Sequence, residues 1–354
     1  MKRVGGYELE RRLGAGGMGE VFLARREEGA RVVLKRVLPA LAAREGFGER
    51  FLHEVRVLAR LSHPNIVRVL EFFEAEGTWL LAMEHVEGED LASRLARGAL
   101  STGEFARLAL GAARALEAAH SLRDASGRAT PVIHRDVSPH NFLLDARGEP
   151  KLIDFGVASL RGEGESGGKL AWAAPEQLLN DETSAASDQY SLGVTLWACL
   201  AGRPPFDAED DVEVIRLVTE VGVEALPPGP FTEVVMRMCA LEPRARFGSM
   251  REVVSALEQV ARALRLELAA PPAPAVAVAQ SGLAQVKPQA ALNDVARAAL
   301  AALRDGMTTE EAEAAIDAAG LEGAPFALDV LQALIDAGAI STSDRDGARV
   351  ICRV

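Results

Sequence analysis

The sequence predicts an α+β fold built as two lobes, the first β-rich and the second helical, with a small C-terminal domain of helical, winged-helix-like pattern. Three observations lead there. Short β-prone runs alternate with glycine clusters over residues 7–38, Ala- and Leu-rich helical texture sets in from about residue 90, and a Pro/Ala stretch cuts off the C-terminal part of the chain.

Taken in order, "YELERRLG", "EVFLARR" and "RVVLKRVL" are strands separated by glycine turns. "ERFLHEVRVLARLS" sets Phe51, Val55, Leu58 and Leu61 at helical spacing with charges opposite, which predicts an amphipathic helix. "IVRVLEFFEAEG" and "TWLLAMEHV" read as two further strands bounded by glycine. Within the helical region, "NFLLD" and "PKLIDFG" are compact apolar runs that predict a hairpin. The stretch "PPAPAVAVAQSGLAQVKPQ" has few charges and no helical or strand period, the signature of an extended linker over residues 268–290. Beyond it, "LNDVARAALAALRDG", "TTEEAEAAIDAAG" and "PFALDVLQALIDAG" are helical in pattern, and "AISTSDRDGARVICRV" offers two short strands around a Gly/Asp turn. The expected domains are 1–265, divided into lobes at 1–86 and 87–265, and 291–354.

Composition bounds the function. A chain of 354 residues suits one large domain with a small one, and 49% apolar residues suffice for a substantial core. The net charge of -12 argues against general affinity for nucleic acid or anionic lipid. Cys199, Cys239 and Cys352 are far apart and in no metal spacing, so reduced thiols and a reducing compartment are expected. "MKRVGGYELE" lacks an apolar core of the targeting kind, and no run approaches the roughly 18 apolar residues of a membrane span. A soluble, cytoplasmic protein is the expectation.

The chemistry lies in the motifs. "LGAGGMGEV" gives Gly14, Gly16 and Gly19 in GxGxxG spacing. By itself this leaves a phosphate cradle and a purely steric hairpin both open. A dinucleotide fingerprint requires a helix directly after the glycines, and "EVFLARR" is strand-like instead. Lys35 sits on the apolar strand "VVLK" and Glu54 beside an apolar helix face. Singly they read as edge charges; together they offer an ion pair that aims an ammonium at phosphate oxygens. "HRDVSPHN" supplies Asp136 and Asn141, and "DFG" supplies Asp154.

In their order and spacing, "GAGGMGEV", "VVLK", "HRDVSPHN", "DFG", "APE", "SDQYSLGVTLW" and "RARF" resemble the eukaryotic-like serine/threonine protein kinases of bacteria, over residues 7–265. The resemblance implies the bilobal protein kinase fold, ATP and Mg2+ as cofactors, and protein substrates. It implies that Asp136 orients the acceptor hydroxyl and takes its proton, that Asn141 and Asp154 hold the metal, and that Lys35, held by Glu54, grips the α- and β-phosphates. Met83 would be the gatekeeper, the backbones of Glu84 and Val86 would bond adenine, and Leu13, Val21, Val33, Leu143 and Ile153 would wall the base. Asp188 would tie down the catalytic loop, and Glu176 would pair with Arg246.

One departure stands out. The family's catalytic loop carries Lys where this chain has Ser138, and its activation segment carries Thr where this chain has Lys169. The two residue types have exchanged places, which suggests that the cation has moved to the activation segment. The competing reading is a nucleotide-binding pseudokinase scaffold. "VSPHN" lacks the Ala/Arg pattern of tyrosine kinases, although Trp172 is a tyrosine-kinase-like detail. Ser159 and Ser166 are the candidate phosphorylation sites of the activation segment, and Arg135 is the candidate receiver of that phosphate. Residues 291–354 hold five Arg, no Lys and eleven Asp plus Glu, a net charge of -6, which suits an adaptor or pathway protein and not DNA. Pairing of kinase regions into a homodimer is left open by the sequence.

Overall fold

The computed structural model describes residues 2–16, 19–27, 29–42, 51, 55–124, 127–155, 169–179, 181–206, 208, 210–266, 340–345 and 348–353. The chain divides into two compact units, Met1–Ala279 and Gln280–Val354.

The first unit opens on the sheet that the glycine-punctuated runs predict. Strands β1 (Arg3–Val4), β2 (Tyr7–Gly16), β3 (Gly19–Arg26), β4 (Arg31–Val37), β5 (Val69–Ala75) and β6 (Thr78–Glu84) form an antiparallel sheet in the order β1-β2-β3-β4-β6-β5. Period-2 alternation sorts β4 into two faces. Val32 and Leu34 are buried in a core with Tyr7, Ala24 and Ala82, whereas Val33 and Lys35 point the other way. Register then aligns Gly14 with Val21, Val21 with Lys35 and Lys35 with Leu81 across neighbouring strands. Phe51, Val55, Leu58 and Leu61 are all buried, as their helical spacing demands, and 55–58 is helical.

The second lobe is organised around two helices. Thr102–His120 starts with a capping box, in which Ser101 and Glu104 satisfy each other's backbone N–H groups, and it buries Phe105, Leu108, Ala112 and Leu116. Ala185–Ala201 is buried along nearly its whole length and ends at Gly202, whose φ of 68° is the left-handed conformation that glycine adopts without strain. Met250–Ala263 lies against Thr102–His120, and Arg114 reaches across to Glu258 at 2.9 Å. The predicted hairpin is present: β8 (Phe142–Asp145) pairs with β9 (Pro150–Leu152), and β7 (Gly88–Asp90) adds to its edge.

Glu176 and Arg246 form a buried bidentate pair at 2.7 and 2.9 Å. Arg246 also donates to Ala186 O, Ala240 O and Leu241 O, so the guanidinium is satisfied. Burial alone would raise the Glu176 carboxyl, but the Arg246 hydrogen bonds and charge outweigh it and hold the group below its ordinary range. Cys199 and Cys239 are buried and free, and burial pushes the Cys199 thiol up to about 12. Among the described residues, no helix is long and apolar enough to cross a membrane.

In the second unit, β10 (Ile340–Arg345) and β11 (Ala348–Arg353) pair antiparallel, matching the strands read around the Gly/Asp turn. The expected linker 268–290 and the three helical patterns that follow lie outside the described residues.

Candidate active site

Lys35 is buried to 8% exposure on the inner face of β4, and its Nζ donates to Asp154 Oδ1 at 2.7 Å. Two residues separated by most of a domain in sequence therefore meet. Glu54, the expected partner of Lys35, lies outside the described residues, as do the tip of the glycine turn at 17 and 18 and the activation segment from 156 to 168, with Ser159 and Ser166. Asp154 is in the left-handed region with φ 60°, and the buried Phe155 ring beside it meets the His134 ring in a tilted arrangement, 4.5 Å between centroids and 60° between planes. A small apolar cavity of about 20 Å³ lies here, lined by Leu58, Leu61, Ile66, Met83 and Phe155 together with Asp154.

The catalytic-loop motif is held from three sides. Asp188 is 1% exposed; its Oδ1 accepts from Arg135 N at 2.8 Å, and its Oδ2 accepts from His134 N at 2.7 Å and pairs with His120 Nε2 at 2.8 Å. Asp188 thus takes the tethering position that the sequence suggested. His134 is fully buried, with Nε2 on Ile153 O at 2.8 Å and Nδ1 accepting from Asp136 N at 3.2 Å. That pattern requires neutral imidazole, and burial holds its pKa below the ordinary value. Asn141 donates through Nδ2 to Asp136 O at 2.6 Å, so its side-chain oxygen is the atom it offers a cation. Ser138 is buried at 2% exposure, just before the turn Pro139–Asn141.

Lys169 approaches from the activation segment. Its Nζ lies 3.0 Å from Asp136 Oδ2, with the ammonium side chain 41% exposed. The short turn Leu170–Trp172 follows, and a cavity of about 100 Å³ opens between it and the loop, lined by Arg135, Asp136, Val137, Lys169, Trp172 and Ser191 among others. Gln177, which sequence reasoning passed over, bridges the two segments: its Oε1 accepts from Ala174 N at 3.0 Å and its Nε2 donates to Arg135 O at 3.1 Å. His120 was likewise not singled out. The sequence signal for Gln177 was its place directly after "APE", but its partner is 42 residues away.

The residues expected to wall the base are partly buried or exposed. Val21, Val33, Leu143 and Ile153 are intermediate in exposure, and Leu13 is 40% exposed. Met83 pairs with Val33 across the sheet, Glu84 ends β6, and Val86 follows between β6 and β7. The Glu84 carboxylate takes Lys151 at 2.7 Å. Gly14 and Gly19 serve different ends. A Cβ on Gly19 would fall 2.0 Å from Arg36 O, so the strands themselves demand glycine there. Among the described residues, a Cβ on Gly14 would meet nothing within 4 Å, so they leave open space over the strand at that point.

Comparison with known proteins follows the same lines. The family described as "Protein kinase domain" matches residues 7–257. The chain is 34% identical over 275 residues to the tyrosine-protein kinase MasK of Myxococcus xanthus, covering 72% of this chain and 43% of that protein. It is 34% identical over 269 residues to the serine/threonine-protein kinase PknH of Mycobacterium tuberculosis, covering 72% and 42%. This chain spans less than half the length of either relative. Among solved structures, the Mycobacterium tuberculosis PknI kinase domain superimposes with a TM-score of 0.55 at 31% identity, covering 73% of this chain and 97% of that one.

Proposed function

The chain belongs to the protein kinase family, and from that membership we propose that it is an active serine/threonine protein kinase, transferring the γ-phosphate of ATP to hydroxyls of protein substrates. One observation carries the reading. Lys35, Asp136, Asn141, Asp154 and Lys169 come from four separate stretches of chain and meet pairwise through contacts of 2.6–3.0 Å. A decayed cleft has no need to keep such a set.

Phosphoryl transfer requires alignment and charge neutralisation more than covalent help. In this reading Lys35 turns from Asp154 to the α- and β-phosphate oxygens, and the open space over Gly14 receives the phosphate chain. Asp154 and Asn141 offer the hard oxygen donors that suit Mg2+, whose role when bound is to offset phosphate charge. Asp136 aims the acceptor hydroxyl and takes its proton, and the cavity beside Asp136, Lys169 and Trp172 admits the acceptor side chain. Lys169 supplies the cation that Ser138 cannot.

The similar proteins bear both tyrosine and serine/threonine names. "VSPHN" supports serine and threonine; Trp172 is the detail that favours tyrosine. Phosphoamino-acid analysis after turnover on a mixed substrate separates them, with phosphoserine and phosphothreonine expected. Residues 291–354, at net charge -6, are proposed to bind a protein partner.

Mg-ATP turnover on a generic basic protein, with Asp154→Ala as control, tests the enzyme against the scaffold. Turnover that vanishes in the variant supports the kinase. ATP binding with no turnover in the unaltered chain supports the pseudokinase.

A further inference from the structure

We propose that Gln177 is a positioning residue that locks the peptide leading into Asp136 to the end of the activation segment; the proposal rests on the kinase reading above. Gln177 lies in the short helix Pro175–Leu178, where its Oε1 accepts from Ala174 N at 3.0 Å. That bond is an ordinary helix-start contact, in which the third residue satisfies the backbone N–H of the cap. The second bond has no part in capping. Nε2 donates at 3.1 Å to Arg135 O, in a different segment of the fold.

Arg135 has φ 69°, a left-handed conformation that a residue with a side chain holds only when its surroundings fix it. Its N–H is held by Asp188 Oδ1 at 2.8 Å. The peptide from Arg135 to Asp136 is then pinned at both polar groups. Its carbonyl accepts from Gln177 at 3.1 Å, and its N–H donates to His134 Nδ1 at 3.2 Å. Fixing that plane fixes the direction in which Asp136 leaves the backbone. Ala174, the other partner of Gln177, closes the stretch that begins at Lys169, whose ammonium sits 3.0 Å from Asp136 Oδ2. Gln177 joins at the backbone the same two segments that Lys169 joins at the side chain. The task needs an acceptor and a donor on one planar group, which an amide has and a carboxylate lacks.

Gln177→Glu in the full chain separates this from a capping role. Glutamate is itself a preferred third residue of a cap, so capping alone leaves the variant as active as the unaltered protein. Positioning instead lowers kcat about tenfold to a hundredfold, the range a slightly misplaced reactive group costs, with KM for ATP unchanged within about twofold. Gln177→Met, which loses both bonds, shows the same loss of kcat at unchanged KM for ATP, and it stands in if the glutamate variant fails to fold. A Gln177→Glu kcat within about twofold of the unaltered protein overturns the proposal. Asp136→Asn run alongside distinguishes the two claims: turnover surviving there refutes the kinase reading, whereas its loss beside an unaffected Gln177→Glu refutes only this one.

Discussion

Lys169 stands 33 residues along the chain from Asp136, yet its ammonium lies 3.0 Å from the carboxylate. The motif comparison could mark the exchange of Lys and Ser, but it could not supply this distance, because nothing local to either stretch dictates how the activation segment returns. If Lys169 carries the missing cation, Lys169→Ala lowers kcat by about a hundredfold or more, the loss typical of removing one preorganised electrostatic partner from a transition state. Its side chain is 41% exposed, so the melting temperature should hardly move. Steady-state kinetics with a melting curve checks both, and a rate within about twofold of the unaltered protein removes Lys169 from the mechanism. The Lys35 contact shows the same limit of reading. Its motif named the residue, whereas its direct partner Asp154 is 119 residues distant and emerged only from the fold.

The β-elements were largely legible because their signals are local: alternation sets the faces and glycine clusters set the turns. Less legible was why a given glycine is needed. Gly14 and Gly19 look alike in the motif, but only Gly19 is required by the sheet itself. Gly19→Ala drives a Cβ toward Arg36 O and should destabilise by about 1–3 kcal/mol, seen as a lower denaturant midpoint at unchanged slope. The buried Glu176 and Arg246 pair is a point on which stability depends. Arg246→Ala leaves a buried carboxylate unpaired and should cost about 3–5 kcal/mol. The same pair sets an acid limit. With its folded pKa below the ordinary 4.5, Glu176 stabilises fully above the unfolded value, and that contribution fades as pH falls through the folded one. Stability measured downward from about pH 5 should therefore drop more steeply in the unaltered protein than in Glu176→Gln.

Across the whole molecule, the residues assigned to phosphoryl transfer all precede Ala174, inside the compact unit Met1–Ala279. A chain ended at residue 279 should retain turnover on a generic substrate within about twofold while losing any partner retained by residues 291–354, which co-purification reads out. The division into a β-rich and a helical lobe could be read from texture alone, since each lobe has its own periodicity. How the lobes' polar groups combine could not, since side chains from opposite ends of the domain carry no shared local pattern. That combination bears on how the cleft meets its ligand. Among the described residues, the Lys35 and Lys169 ammonium groups already pair with the Asp154 and Asp136 carboxylates. On the proposed kinase reading, arrival of a metal-nucleotide is then an exchange of counterions inside the protein, with little net uptake or release of dissolved ions. Its dissociation constant should consequently vary only shallowly with ionic strength, and a steep dependence in a salt titration would mean that these lysines are elsewhere when the nucleotide enters.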